Sequence, residues 1–222
     1  MSYTPYNAPL LSGLLGDAEV TQHFTVRAEI AAMLRFEAAL ADAEAGEEVI
    51  PREAAKAIAE ACASFEPDIA ALGTATARDG VVVPELVRQL RAHIGEPHGR
   101  HVHYGSTSQD VTDTSFVLRM KGVIDLMERR LMELRASLGD VEVRFGGNTM
   151  MARTRMQAAL PFAAADRIRS WNAPLGDHLD RLNAIRPRVF KLQFGGAIGT
   201  LDKLEAKGGA VSTRLAKTLD LH

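Results

Sequence analysis

Residues 101–114 read HVHYGSTSQDVTDT, two histidines and a glycine followed by a run of small hydroxyl, carboxamide and carboxylate side chains. Gly105 permits a tight turn, and Ser106 with Gln109, or Thr107 with Asp110, has the spacing of a capping box, so a helix is expected to begin here. A helix start exposes unpaired backbone N–H groups and a partial positive charge. With hydroxyl and carboxamide donors beside it, such a start can hold a carboxylate or phosphate. Ser106, Thr107, Ser108 and Gln109 are the donors that site would use. Ordinary capping is the simpler account of the spacing, but it needs only one hydroxyl and leaves the density of polar groups unexplained.

His98, His101 and His103 superficially resemble a zinc cluster. No HExxH, paired CxxC or carboxylate partner at ligand spacing accompanies them, so no metal is expected. His103, three residues before Ser106, is a candidate to donate a hydrogen bond or a proton at the site. A helix-terminal histidine bonded to backbone is the competing reading, and the sequence leaves both open.

The elements that must position these groups read as helices. Alanine, leucine, glutamate and arginine dominate, aromatics are 5%, and apolar residues recur at helical spacing, which predicts a mainly α fold. Helices are expected at roughly 25–45, 52–64, 66–78, 84–95, 108–140, 158–186 and 201–220. In the fifth, Val117, Met120, Ile124, Met127, Leu131, Leu134 and Leu138 form the seam of a helix packed lengthwise. In the sixth, Ala164, Ile168, Trp171, Leu175, His178, Leu182 and Ile185 repeat the rhythm. Pro174 should kink or interrupt that helix, and Pro187 should end it. GGNTMMARTRMQ between the two, and VFKLQFGGAIGT after the second, read as brief extended segments. Residues 1–104 would form a small helical domain and 105–222 the first part of a bundle. The leftover apolar faces of that bundle, including Val123, Leu126 and Leu179, call for another helix or subunit.

Composition narrows the partners. The 222 residues carry 26 Lys+Arg against 28 Asp+Glu, a net charge of −2, so neither a nucleic-acid surface nor a polybasic membrane patch is indicated. No run approaches a membrane span, the start MSYTPYNAPLLSGLLGD lacks the form of a secretion leader, and Cys62 is the sole cysteine. A cytoplasmic location fits. The last residues stop within a helical pattern, as though the chain were part of something longer.

Three segments together carry a resemblance. GSTSQDVTDT at 105–114, ARTRMQAALPF at 152–162 and LQFGGAIGT at 192–200 are similar, in order and spacing, to the signatures of the fumarase/aspartase superfamily. RFEAALADAEAGEEVIP, VVVPELVRQL and GRHVHYGSTSQD further resemble its bacterial 3-carboxy-cis,cis-muconate cycloisomerase branch. The resemblance implies a small helical N-terminal domain followed by an elongated helical bundle, incomplete in this chain, and a homotetramer whose active sites are shared between subunits. It also implies conversion of 3-carboxy-cis,cis-muconate to 4-carboxymuconolactone, a step of protocatechuate (β-ketoadipate) catabolism that needs no cofactor. The nucleophile belongs to this polycarboxylate substrate, so the enzyme must fold it, supply a proton and stabilise charge on a second carboxylate.

On that resemblance, Arg153, Thr154, Arg155 and Gln157 hold one carboxylate, and Ser106 to Gln109 with His103 hold another. Lys191 and Gln193 are a third candidate group, with simple strand-edge polarity as the alternative. Arg155 stands where many lyase members have histidine. A guanidinium keeps its proton, so Arg155 is expected to clamp or stabilise an anion, unless it is merely solvated. The superfamily's third signature, a mobile serine-containing loop, is absent from these residues. A fumarate-releasing lyase, adenylosuccinate lyase-like, is the nearest rival, and Arg155 and the lack of a histidine beside Arg78 argue against it. A non-catalytic helical assembly module is the rival from another class. GGAIG alone is weak evidence for a nucleotide site.

Overall fold

The structure is a computed structural model that describes residues 10–222. The MSYTPYNAP start, on which part of the leader argument rests, lies outside the described residues. Two single-turn helices, α1 (Ser12–Leu15) and α2 (Ala18–Thr21), precede α3 (Val26–Gly46). Thr25 caps α3 by accepting the N–H of Ala28 at 3.1 Å, and alanine and leucine, both strong helix formers, fill it. Next come α4 (Arg52–Ser64), α5 (Ile69–Asp79) and α6 (Val83–Ile94). Asp68 caps α5, which therefore starts at residue 69 rather than 66. Pro84 sits in the first turn of α6, where its missing N–H is not needed.

The fifth expected helix is α7 (Ser108–Phe145), one unbroken run of 38 residues. An antiparallel hairpin of β1 (Thr149–Thr154) and β2 (Gln157–Ala163) follows, then α8 (Ala164–Val189). The sixth helix thus begins six residues later than expected, because 157–163 pairs with 149–154 as a strand. Neither proline ends α8: the helix runs through Pro174 and two residues past Pro187. Pro174 is exposed, so the carbonyl it deprives of a partner can be met by water. VFKLQFGGAIGT forms no strand. Its backbone groups are met individually instead, by Thr114, Asp110 and the carbonyl and N–H of His222. The final helix opens with a 3₁₀ segment, Asp202–Lys207, before α9 (Gly208–Leu219).

The chain packs as two compact units, one running to Lys121 and taking in Val189–His222, the other Gly122–Arg188. The boundary between the two units falls within α7. In the first unit α3 is the central helix, packed against α4 and α9. Met33, Phe36 and Leu40 of α3, Ile58 of α4, Leu86 and Leu90 of α6 and Leu215 and Leu219 of α9 are its largest fully buried apolar side chains.

In the second unit the latter part of α7 pairs with α8. Asp125 with Arg186 (2.8 Å), Arg135 with Asn172 (3.1 Å) and Glu142 with Arg169 (2.7 Å) step up one helix as they step down the other, which makes the pair antiparallel. Ile124 and Ile168 are buried on the expected seam, whereas Leu134, Trp171 and His178 on it are exposed. Leu126, expected to be bare, is buried. The bare apolar residues of the two helices include Met132, Leu134, Val141, Val143, Phe145 and Trp171, with Val143 88% exposed.

Candidate functional site

Asp110 organises the start of α7. Its carboxylate is buried and accepts four hydrogen bonds: from the N–H groups of Gly195, Gly196 and Thr107, each at 3.0 Å, and from the Ser106 hydroxyl at 3.3 Å. The bond from Thr107 is the carboxylate's half of the Thr107/Asp110 capping box. The bonds from Gly195 and Gly196 fix the glycine-rich segment against the helix start. Two glycines make that approach possible. Gly105 (φ 70°) and Gly196 (φ 69°) both adopt the left-handed conformation, and a Cβ on Gly196 would lie 3.0 Å from the Gly105 carbonyl oxygen. Thr114, also buried, clamps Gln193 by donating to its carbonyl at 2.8 Å and accepting its N–H at 3.1 Å.

Between these segments lies an open cleft of about 530 Å³, lined by Thr107, Gln109, Asp113, Gln193 and the Gly195–Gly199 stretch. The cleft brings Gln193, expected to belong to a separate group, beside Thr107 and Gln109. Ser106 donates to Asp110 instead of standing free, and the Gln109 carboxamide donates to Asp113 at 2.7 Å, not back to Ser106 as a capping box would have it. Ser108 accepts through its carbonyl from the Thr112 hydroxyl at 2.9 Å, within the helix. Lys191 is exposed beside the cleft, its carbonyl facing the Gln193 carboxamide. Asp110 and Asp113 line this cleft, and among the described residues no basic side chain does. What it offers an anion is the helix start and neutral donors, so cations for a polycarboxylate must be supplied from elsewhere. A larger hollow of about 810 Å³ beside α3 and α4 is lined by apolar Ile30, Leu34, Ala59 and Phe65 together with Arg27, Arg35 and Glu66, and carries none of the expected residues.

His103 is held from the core, not by backbone at a helix end. Its Nδ1 lies 2.7 Å from Oε1 of Glu37, whose residue surface is 1% exposed. The histidine backbone is in the left-handed region at φ 61°, uncommon for a side-chain-bearing residue. Glu44, two turns further along α3, is also fully buried, with no hydrogen-bond partner on either carboxyl oxygen among the described residues. Burial, and then the charge of Glu37, pushes its pKa up to about 9, and the same two causes push the Cys62 thiol up to about 12. His101 is lowered from its ordinary value by burial and by Arg100 and His98. Among the described residues no three His, Cys, Asp or Glu side chains converge as metal ligands, and no helix is long and apolar enough to cross a membrane.

Arg153, Thr154, Arg155 and Gln157 form the tip of the hairpin in the second unit, and all four are exposed. Thr154 pairs with Gln157, and the two residues between, Arg155 (φ 30°) and Met156 (φ 71°), both have the positive φ of a two-residue hairpin turn. Asp110, Asp113, Thr114 and Glu37 had not been singled out as site residues. For Asp110 the signal was its place in the capping box. Glu37, an acidic residue among apolar ones in RFEAALA, offered no sign of which distant residue it meets.

A family model described as "Lyase" matches residues 17–221. The 3-carboxy-cis,cis-muconate cycloisomerase of Acinetobacter baylyi is 35% identical over 217 residues, covering 96% of this chain and 48% of the relative. Trans-aconitate decarboxylase 1 of Mycosarcoma maydis is 33% identical, covering 97% and 44%. The crystal structure of the β-carboxy-cis,cis-muconate cycloisomerase from Acinetobacter calcoaceticus matches with a TM-score of 0.90 at 34% identity, over 96% of this chain and 50% of its own. The chain spans about half the length of the curated relatives it matches.

Proposed function

The chain belongs to the lyase family, the fumarase/aspartase superfamily, and from that premise we propose that the whole protein is a cytoplasmic 3-carboxy-cis,cis-muconate cycloisomerase of protocatechuate (β-ketoadipate) catabolism. The observation that carries this reading is the cleft in which Asp110 ties the helix start to Gly195 and Gly196. It offers one carboxylate Thr107, Gln109 and the amide end of a 38-residue helix, with Ser106 and Ser108 completing the turn.

In the reaction, a carboxylate oxygen of the substrate bonds to one carbon of a conjugated double bond. The π electrons move toward a second carboxylate, and the neighbouring carbon takes a proton, so that no atom is lost overall. His103 is suited to hand over or steer that proton. Arg153 and Arg155, with Thr154 and Gln157, stabilise the charge that builds up, because guanidinium groups stay charged and bind carboxylates in a bidentate fashion. Lys191 and Gln193 serve as auxiliary contacts at the rim. In this reading residues 1–104 are a helical cap domain, 105–222 begin the central bundle, and a homotetramer completes each site with residues of other subunits. The lack of basic side chains in the cleft lining and the bare Val143, Met132 and Trp171 favour that assembly.

The similarity to a trans-aconitate decarboxylase favours a second reading, loss of CO₂ from an unsaturated tricarboxylate held by the same clamps. Incubating the full-length protein separately with 3-carboxy-cis,cis-muconate, trans-aconitate and adenylosuccinate separates the readings. Loss of muconate absorbance with formation of an isomeric lactone supports the cycloisomerase; CO₂ or fumarate release without lactone overturns it.

A further inference from the structure

We propose that Glu37 is a positioning residue for His103: by accepting the Nδ1 proton it fixes the orientation and tautomer in which the imidazole serves the site. The inference rests on the reading of His103 as a site residue and adds what holds it.

The contact is 2.7 Å long, between a carboxylate 1% exposed and an imidazole side chain 15% exposed, so one partner is sealed in the core while the other still reaches the surface. An ionised carboxylate can only accept, so the proposed arrangement has the proton between them on Nδ1 and leaves Nε2 for other partners. The other oxygen of Glu37 has no hydrogen-bond partner among the described residues. His103 is thus the group that justifies keeping this carboxylate in an apolar helix, where a well-packed apolar side chain would be less costly to bury.

The rest of α3 separates the two kinds of buried acid. Glu44 meets no hydrogen-bonding group and is held neutral at pH 7 by burial, whereas Glu37 lies against an imidazole. The backbone of His103 is independently fixed. Its predecessor Val102 is fully buried and accepts from Arg91 at 2.7 Å, and His103 itself is in the left-handed region two residues before Gly105, which is there too. With both sides of the turn anchored, the ring's remaining freedom lies in its own torsions, and Glu37 removes it. Next to Glu37, Phe36 meets Phe194 edge-on at 6.4 Å between centroids, so adjacent residues of α3 brace the histidine and the glycine-rich segment.

Long-range ¹H–¹⁵N spectra of the 222-residue chain, with the His103 signals assigned from His103→Gln, read the tautomer directly. The parent is expected to carry its neutral-form proton on Nδ1, Glu37→Gln to keep it there because the amide oxygen still accepts, and Glu37→Met to shift the proton to Nε2. An Nε2–H tautomer in the parent, or a tautomer indifferent to Glu37→Met, overturns the inference; if Glu37→Met does not fold, the parent and Glu37→Gln spectra decide. In full-length enzyme, Glu37→Met is expected to lower kcat about 10²-fold with little change in KM, and Glu37→Gln to recover most of it. If His103→Gln abolishes turnover while the tautomer ignores Glu37, the functional reading stands and this inference falls. If the tautomer follows Glu37 but turnover ignores His103, positioning stands and the functional reading of His103 falls.

Discussion

The Asp110 carboxylate accepts the backbone N–H of Gly195 at 3.0 Å across 85 residues of sequence. This bond, with its neighbour from Gly196, joins the first and last of the three signature segments. Replacing Asp110 with alanine leaves the buried N–H of Gly196 and the partly buried N–H of Gly195 without an acceptor and removes the carboxylate's half of the capping box. The expected loss is roughly 2–4 kcal/mol, because a buried unsatisfied donor costs ~1–3 kcal/mol and a lost cap adds about 1. Urea denaturation of the 222-residue chain measures it; an unchanged midpoint would show that the bonds contribute nothing to holding the cleft.

Gly196→Ala tests the same junction from the other side. The new methyl would sit 3.0 Å from the Gly105 carbonyl at a φ of 69°, so both contact and backbone are unfavourable. A loss of roughly 1–3 kcal/mol is expected in thermal melts. Gly209→Ala, whose methyl meets nothing within 4 Å, is the control and should leave the melt unchanged or raise it.

Glu44 gives a pH dependence with a definite sign. Its pKa in the folded chain is about 9, above the ordinary 4.5, so the folded state holds the proton more tightly than the unfolded state. The stability this represents is fully present below pH 4.5 and is lost as pH rises toward 9, by an amount on the order of several kcal/mol. Glu44→Gln cannot ionise. Melting temperatures of parent and variant should therefore diverge in the variant's favour between pH 5 and pH 9, and parallel curves would contradict the buried-acid assignment.

Arg155 separates function from stability. It is an exposed residue at a hairpin tip, so Arg155→Ala should leave stability within about 0.5 kcal/mol of the parent. In full-length enzyme the same change should lower kcat/KM about 10²-fold, the scale of removing one preorganised stabiliser of developing charge. Arg155→Lys should recover only part, because an ammonium lacks the paired donors. Circular-dichroism melts and steady-state kinetics on the same preparations check both halves.

The helical elements and the start of α7 were legible in the sequence because both are local: periodicity writes α3, α4, α6 and α7, and Gly105 with Thr107 and Asp110 writes the turn. Residues 157–163 misled because their composition suits a helix, whereas their partner strand at 149–154 decides for a hairpin. Leu126 and Trp171 exchanged expected burial for the same kind of reason, since a period of seven fixes a stripe but not its rotation against a neighbour. The partners of the candidate site were the least legible. Asp110 reaches Gly195 and Glu37 reaches His103 over 85 and 66 residues, and no local pattern records a contact of that span.

The central claim is that the start of α7 grips a carboxylate of the substrate, and Thr107 is the cleft residue whose hydroxyl can be removed without changing side-chain shape. Steady-state kinetics of full-length Thr107→Val on 3-carboxy-cis,cis-muconate test it most directly. A KM raised about tenfold or more is expected, the scale of one lost hydrogen bond to a charged group. Kinetic constants equal to the parent's, in a variant that melts at the parent's temperature, would contradict the account.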